Sequence, residues 1–310
     1  MMYVYRAYAN FVLEEYNDCV KDYSKANAIQ KLQAGSLYNL QLAQGLKYLQ
    51  SCEFEQAIGQ FSKAALKQPQ QRDPYLLRAI SVVRFALRNS LEPQLRIKTL
   101  KDGKRDLNRA IEVSSSKDAN VLLLRSLVNF SLNYFFDAVV DIEHAIESSD
   151  EAQANLYLAR GRCYACLSMF KEAITDLSIA INLNKDLLDA YLNRGKCSYL
   201  IGDSGLAFMD FQKIIVIEPK NPMVHIYAGN LLMTTGSYED ATKAFTNADN
   251  IQKSALALYQ RARCHVALNN MMEAASDLNK VIEIAANDRV ALNDRECLNA
   301  LKQASGLSQN

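Results

Sequence analysis

The chain has 310 residues, 49% of them hydrophobic, and its 35 basic residues balance 34 acidic ones. No global field therefore favours nucleic acid or an anionic surface, and local patches have to be judged separately. The longest aliphatic runs, Val121–Leu124 and Ile214–Ile217, fall far short of the about 20 residues of a bilayer span.

The opening MMYVYRAYANF has neither the basic leader nor the cleavage site of a signal peptide. Seven Cys without a secreted spacing pattern fit a reducing compartment. These features predict a soluble, intracellular, cytoplasmic protein without membrane insertion.

Taken in order, the chain copies itself. The first helix pair, about residues 1–29, opens inside a helix at Tyr3-x-x-Arg6-Ala7, and its second helix is expected over Asp18–Ala28. So abrupt a start suits a piece of a longer chain or a subunit whose ends are covered. The second pair, 36–69, carries Gly45, Ala57, Phe61 and Ala64 and closes at Pro69, which cannot donate the next helical hydrogen bond. The third, 73–115, starts at Asp73-Pro74, but twelve residues are inserted around Leu87–Leu100, and Gly103 stands where Ala is expected. Lengthened helices there, or a loop at Asn89–Pro93, should project from an otherwise regular surface. Pairs follow at 119–148, 152–185, 186–220, 221–253 and 254–285, then a capping helix at 288–304 and a disordered tail at 305–310. The run Ser114–Ser116 offers hydroxyls for phosphorylation, but it reads first as an inter-repeat turn.

The internal match is clearest from Asn155 to Pro219. Tyr157-x-x-Arg160-Gly161 returns as Tyr191-x-x-Arg194-Gly195, and Ala173-x-x-Asp176-Leu177-x-x-Ala180 as Ala207-x-x-Asp210-Phe211-x-x-Ile214, 34 residues on. With this period and these small and aromatic positions the chain resembles the tetratricopeptide-repeat family over nearly its whole length, with Tyr157, Tyr191 or His225 in place of the usual Trp. The resemblance implies an all-α, right-handed solenoid of about eight helix–turn–helix repeats plus a capping helix, forming a single array over residues 1–304.

Comparing the repeats with one another reveals a covariation. Arg in the first helix is followed sixteen residues later by Asp in the second: Arg6/Asp22, Arg125/Asp141, Arg160/Asp176, Arg194/Asp210 and Arg261/Asp277, with Arg78/Asp106 kept across the insertion. Where Arg is absent so is Asp, as at Gln44/Gln60 and Ala228/Ala244. Joint loss predicts structural salt bridges between antiparallel helices, since the planar guanidinium fork matches a carboxylate. A ladder of Arg gripping a phosphate polymer would need no such partner.

No chemistry declares itself. Cys163-x-x-Cys166 suggests half of a zinc or redox site, yet Cys163, Cys197 and Cys264 recur at one slot that wants a small apolar group. His144, His225 and His265 lie in separate repeats at different places, and no Walker, dinucleotide-binding or nucleophile-elbow motif occurs. No catalytic residue, cofactor or metal is assigned.

In the family, the first helices line a concave groove. The residue after each small position points into it: Tyr8, Leu46, Ile80 and Leu127, then Arg162, Lys196, Asn230 and Arg263. The resemblance thus implies a groove with an apolar first half and a polar, basic second half, to which Asn193, Tyr227 and Gln260 add. The second half is expected to hold an extended or helical partner segment with acidic side chains, although single basic residues on a helix face are also often merely solvated. The branch that clamps Hsp70 or Hsp90 C-termini places Lys and Asn, then Asn, then Lys and Arg on three successive repeats. Here only Asn193 matches, with Leu158, Arg162, Met223 and Tyr227 at the other positions, so a co-chaperone is the alternative. The reading is a non-catalytic scaffold binding other proteins, a subunit of a larger assembly of which cytoskeletal, ciliary and trafficking complexes are examples. No nucleic-acid partner is expected.

Overall fold

The computed structural model describes residues 2–88, 91–114, 118–149 and 151–287. These fall into two compact units, Met1–Leu167 and Ser168–Asn310. Unit 1 holds α1 (Met2–Val12), α2 (Tyr16–Ile29), α3 (Ala34–Gln50), α4 (Phe54–Lys67), α5 (Asp73–Arg88), α6 (Pro93–Val113), α7 (Ala119–Ser131), α8 (Phe135–Glu147) and α9 (Ala154–Cys166). Unit 2 holds α10 (Phe170–Leu183), α11 (Leu188–Leu200), α12 (Ser204–Ile217), α13 (Pro222–Thr234), α14 (Tyr238–Ile251), α15 (Ala255–Ala267) and α16 (Met271–Asn287). Within each unit every helix packs on its neighbours in sequence, the pattern of a helical-repeat solenoid. The predicted capping helix and tail, and Ser115 and Ser116, lie outside the described residues.

Six of the first helices end in the same way. One residue turns left-handed (Glu14, Cys52, Asn133, Gly202, Gly236 and Asn269, φ 60–85°). The next amide then reaches back five residues, as Glu53 N–H does to the Tyr48 carbonyl (2.8 Å) and Asp203 N–H to that of Ser198 (2.9 Å). This closure satisfies carbonyls the helix leaves open and turns the chain into its antiparallel partner. Only two of these six positions are Gly, so the other four bear the steric cost of a Cβ there.

In three pairs the core is a glycine facing a phenylalanine sixteen positions later. A Cβ built on Gly45, Gly195 or Gly229 would meet the ring of Phe61, Phe211 or Phe245 at 2.4, 2.6 and 2.7 Å. These three rings are almost wholly buried. In the third repeat Gly103 does the same work from the second helix, its missing Cβ leaving room for Val82 at 3.3 Å.

The predicted ion pairs close the pairs on their other side. Bonds of 2.5–3.1 Å join Arg6 to Asp22, Arg78 to Asp106, Arg125 to Asp141, Arg194 to Asp210 and Arg261 to Asp277. Arg160 and Asp176 belong to different units. Four of the guanidinium groups also reach backwards: Arg78 to Ser62 Oγ, Arg125 to Asn108 Oδ1, Arg194 to Ser178 Oγ and Arg261 to Thr246 Oγ1, at 2.9–3.1 Å. One side chain thus ties three helices of two successive repeats. At the place of the usual Trp, Tyr75 donates to the Pro69 carbonyl (3.2 Å), and a ring nitrogen of His225 meets that of Pro219 (2.9 Å). Each contact anchors the end of the preceding repeat.

The insertion becomes helix. α6 begins ten residues before Gly103, whereas α4 begins three before the equivalent Ala57. Seven extra residues are about 10 Å of helix. Residues 92–98 are all exposed, so this end projects as expected. Of the expected Asn89–Pro93 loop, Asn89 and Ser90 lie outside the described residues.

Candidate functional site

In unit 1 the first helices α7 and α9 border an open apolar cavity of about 440 Å³. Leu123, Leu127, Phe130 and Leu158 line it, together with the buried Ile142 and Cys163. Leu127 and Arg162 follow Ser126 and Gly161, which are buried, so both turn to the free side of their helices. The sequence places these two residues in opposite halves of a groove. The structure puts them in one cavity, because positions 35 residues apart are neighbours on adjacent repeats. The Arg162 guanidinium lies 5.2 Å from the Phe130 ring centre, a contact worth about 0.5–1 kcal/mol at an exposed site. The arrangement is an apolar recess with one cation at its edge.

Burial pushes the Cys163 thiol up to about 12, so it stays protonated at neutral pH and is no nucleophile. Cys166, on the same helix, is exposed. The two thiols, three residues apart on one helix, are both free, one buried and one exposed. Of the other predicted apolar residues, Tyr8 is exposed, Ile80 is half-buried, and Leu46 packs against the core of Tyr38, Leu42 and Phe61.

In unit 2 the chain from core to surface is explicit. Gly195 admits the Phe211 ring, and Phe211 stacks on Tyr227 (centres 5.7 Å apart, 18° between planes). Tyr227 then holds the Lys196 ammonium 4.7 Å from its own ring centre. A second recess of about 280 Å³ is lined by Asn230, Gln260 and Arg263 together with Tyr199, Met233, Thr234 and Tyr238. Arg263 donates to Gln260 Oε1 at 2.9 Å. Asn193, one turn before Lys196, donates to the Asp189 carbonyl of its own helix (2.6 Å).

Among the described residues no carboxylate pairs with Arg162, Lys196 or Arg263. Their partners are two aromatic faces and one amide, which orient a cation without neutralising it. Phe130 and Tyr199 were invisible to a column built from the residue after each small position. Their signal is an aromatic ring one helical turn further along the same face.

His144, His225 and His265 lie on α8, α13 and α15, and each has a local neighbour: Glu147, the Pro219 carbonyl and Asp277, the last at 4.0 Å. Among the described residues no three His, Cys, Asp or Glu side chains are grouped to hold a metal.

No family model and no curated protein matches this chain. Solved structures do. A tetratricopeptide repeat protein from Parabacteroides merdae is 16% identical, covering 86% of this chain and 98% of its own, with a TM-score of 0.61. YrrB, described as a TPR protein with an unusual peptide-binding site, is 21% identical over 64% of this chain and 95% of its own (TM-score 0.51). Residues from 41 to the end of MamA from Desulfovibrio magneticus are 14% identical over 56% and 99% (TM-score 0.53). These likenesses show the fold: the chain is built as a tetratricopeptide-repeat protein.

Proposed function

We propose that this chain is a non-catalytic scaffold whose first-helix faces hold a segment of another protein. The observation that carries the reading is the set of three cations, Arg162, Lys196 and Arg263, each oriented by a neutral neighbour and none paired with a carboxylate among the described residues. Inside the helix pairs the same chain gives its Arg residues Asp partners, which leaves these three first-helix cations open to a partner's carboxylates. In unit 1 the partner presents a large apolar side chain to the cavity beside Leu127 and a carboxylate to Arg162. In unit 2 acidic side chains meet Lys196 and Arg263, while Asn230 and Gln260 bond the partner's backbone. YrrB, of the same fold, is described by its peptide-binding site.

The Hsp70/Hsp90 clamp draws less support. Leu158 lines the apolar cavity and the Asn193 amide is engaged by its own helix. Membership of a larger intracellular assembly is favoured by α12, where Phe208, Met209 and Val216 are exposed. One repeat away, polar residues occupy two of these positions: Thr175 and Asn182 before, Lys243 and Asn250 after.

The test is a cross-linking pull-down from the source cell with the intact chain and with Arg162→Glu/Lys196→Glu/Arg263→Glu. Selective loss of one protein with an unchanged helical melt supports the reading. An unchanged set of partners overturns it.

A further inference from the structure

The third-repeat insertion carries a surface that the scaffold reading leaves unused. Between residues 84 and 105 stand seven basic residues (Arg84, Arg88, Arg96, Lys98, Lys101, Lys104 and Arg105) and two acidic ones, a net of +5 in a chain whose total is +1. The remainder of the chain therefore carries −4, and the near-neutral balance conceals a concentrated positive tip.

Two of these charges are answered within the protein: Lys104 by Asp137 at 2.9 Å and Arg105 by Asp102 at 3.2 Å. Arg84, Arg88, Arg96, Lys98 and Lys101 are exposed, and among the described residues none of them is paired with a carboxylate. Lys98 and Lys101 share one face of α6, and Arg84 and Arg88 one face of α5, by their spacing of three and four. Among these cations stand three aliphatic side chains that the core does not take in: Leu87, Leu95 and Ile97, each 47–49% exposed. They sit at the ends of α5 and α6 that reach furthest beyond the regular repeat.

We propose that this tip docks on an anionic lipid surface. Unanswered cations around a few apolar side chains at the exposed ends of two helices match both parts of such a surface. The cations meet headgroup charge, and Leu87, Leu95 and Ile97 enter the boundary between headgroups and acyl chains. A nucleic-acid backbone would use the charge but leave the aliphatic residues in water.

The experiment is co-sedimentation of the full chain with vesicles of phosphatidylcholine alone and of phosphatidylcholine with phosphatidylserine. Binding to the second, little to the first, and a steep loss with added salt are expected. Lys98→Glu/Lys101→Glu changes the tip's charge by four and should weaken partition at least about tenfold. Leu95→Ser/Ile97→Ser should weaken it with the charge intact. All four side chains are exposed, so the helical melt should not move, and it is recorded for each variant. The proposal is overturned if the phosphatidylserine vesicles bind no better than neutral ones, or if either double variant binds as the parent does. It is also overturned if an RNA duplex binds more tightly than the vesicles and only the charge variant loses it.

Discussion

Substituting Ala for Gly195 sets two effects of opposite sign against each other. In a helix interior Ala is favoured over Gly by about 1 kcal/mol. Against this, the new Cβ would lie 2.6 Å from Phe211 Cε1 and 3.1 Å from Cδ1 and Cζ. The ring has no easy escape, being 1% exposed and stacked on Tyr227. Overpacking of this kind costs about 1–3 kcal/mol, so the net change is a destabilisation of up to about 2 kcal/mol. Removing the ring isolates the two effects. In a Phe211→Leu background, Gly195→Ala should stabilise by up to about 1 kcal/mol, which makes the coupling between the sites about 1–3 kcal/mol. Repeat arrays need not unfold as one unit. The assay is therefore hydrogen exchange of peptides from α11 and α12, supported by thermal melts. Equal stabilisation by Gly195→Ala in both backgrounds would refute the steric argument.

The other predictions concern the turns, the thiols and the ion pairs. Cys52→Gly should raise the stability of its repeat by about 1 kcal/mol because φ is 60° there, and Gly202→Ala should lower it by a similar amount (φ 85°), both read by thermal melts. Burial raises the Cys19 and Cys163 thiols to about 12 and Cys264 to about 11, against an ordinary value near 9. The unfolded chain therefore loses these protons first, so stability is complete below about pH 9 and falls as pH rises towards 11–12, a loss that urea titrations across that range should show. At neutral pH a thiol reagent followed by peptide mapping should label the exposed Cys52 and Cys166 well before Cys19, Cys163 or Cys264. Asp210→Ala should cost about 3–5 kcal/mol, since it strands a guanidinium whose side chain is only 15% exposed, whereas Arg194→Met/Asp210→Leu should recover most of the loss in melts.

Much of this architecture is legible in the sequence because a solenoid repeats its contacts at a fixed interval. The 34-residue period and the Arg/Asp spacing of sixteen need no knowledge of tertiary structure, and the pairs that lie within one unit are bonded as expected. The Gly45/Phe61, Gly195/Phe211 and Gly229/Phe245 pairs share that spacing and were open to the same comparison. Ala7 before Tyr23 and Gly161 before Leu177 blur the correlation. The backward bonds of Arg78, Arg125, Arg194 and Arg261 go to Ser, Asn, Ser and Thr at separations of 15 to 17, too varied for a pattern. Sorting groove residues by chemistry hid the cavity shared by Leu127 and Arg162, because what joins them is adjacency across one repeat. The lengthening of α6 was foreseen as one of two outcomes. That Leu95 and Ile97 stay exposed depends on which partner helix fails to reach them, which periodicity does not reveal.

The central claim is that the first-helix faces recognise a segment carrying carboxylates and a large apolar anchor. Panning a random peptide display library on the intact chain tests it directly. Recovered peptides should be enriched in Asp and Glu with a recurring Leu, Phe or Met, and their binding should fall at least about tenfold with Arg162→Glu/Lys196→Glu/Arg263→Glu. Recovery of basic or purely polar peptides, or of acidic ones that bind the triple variant equally well, would contradict the account.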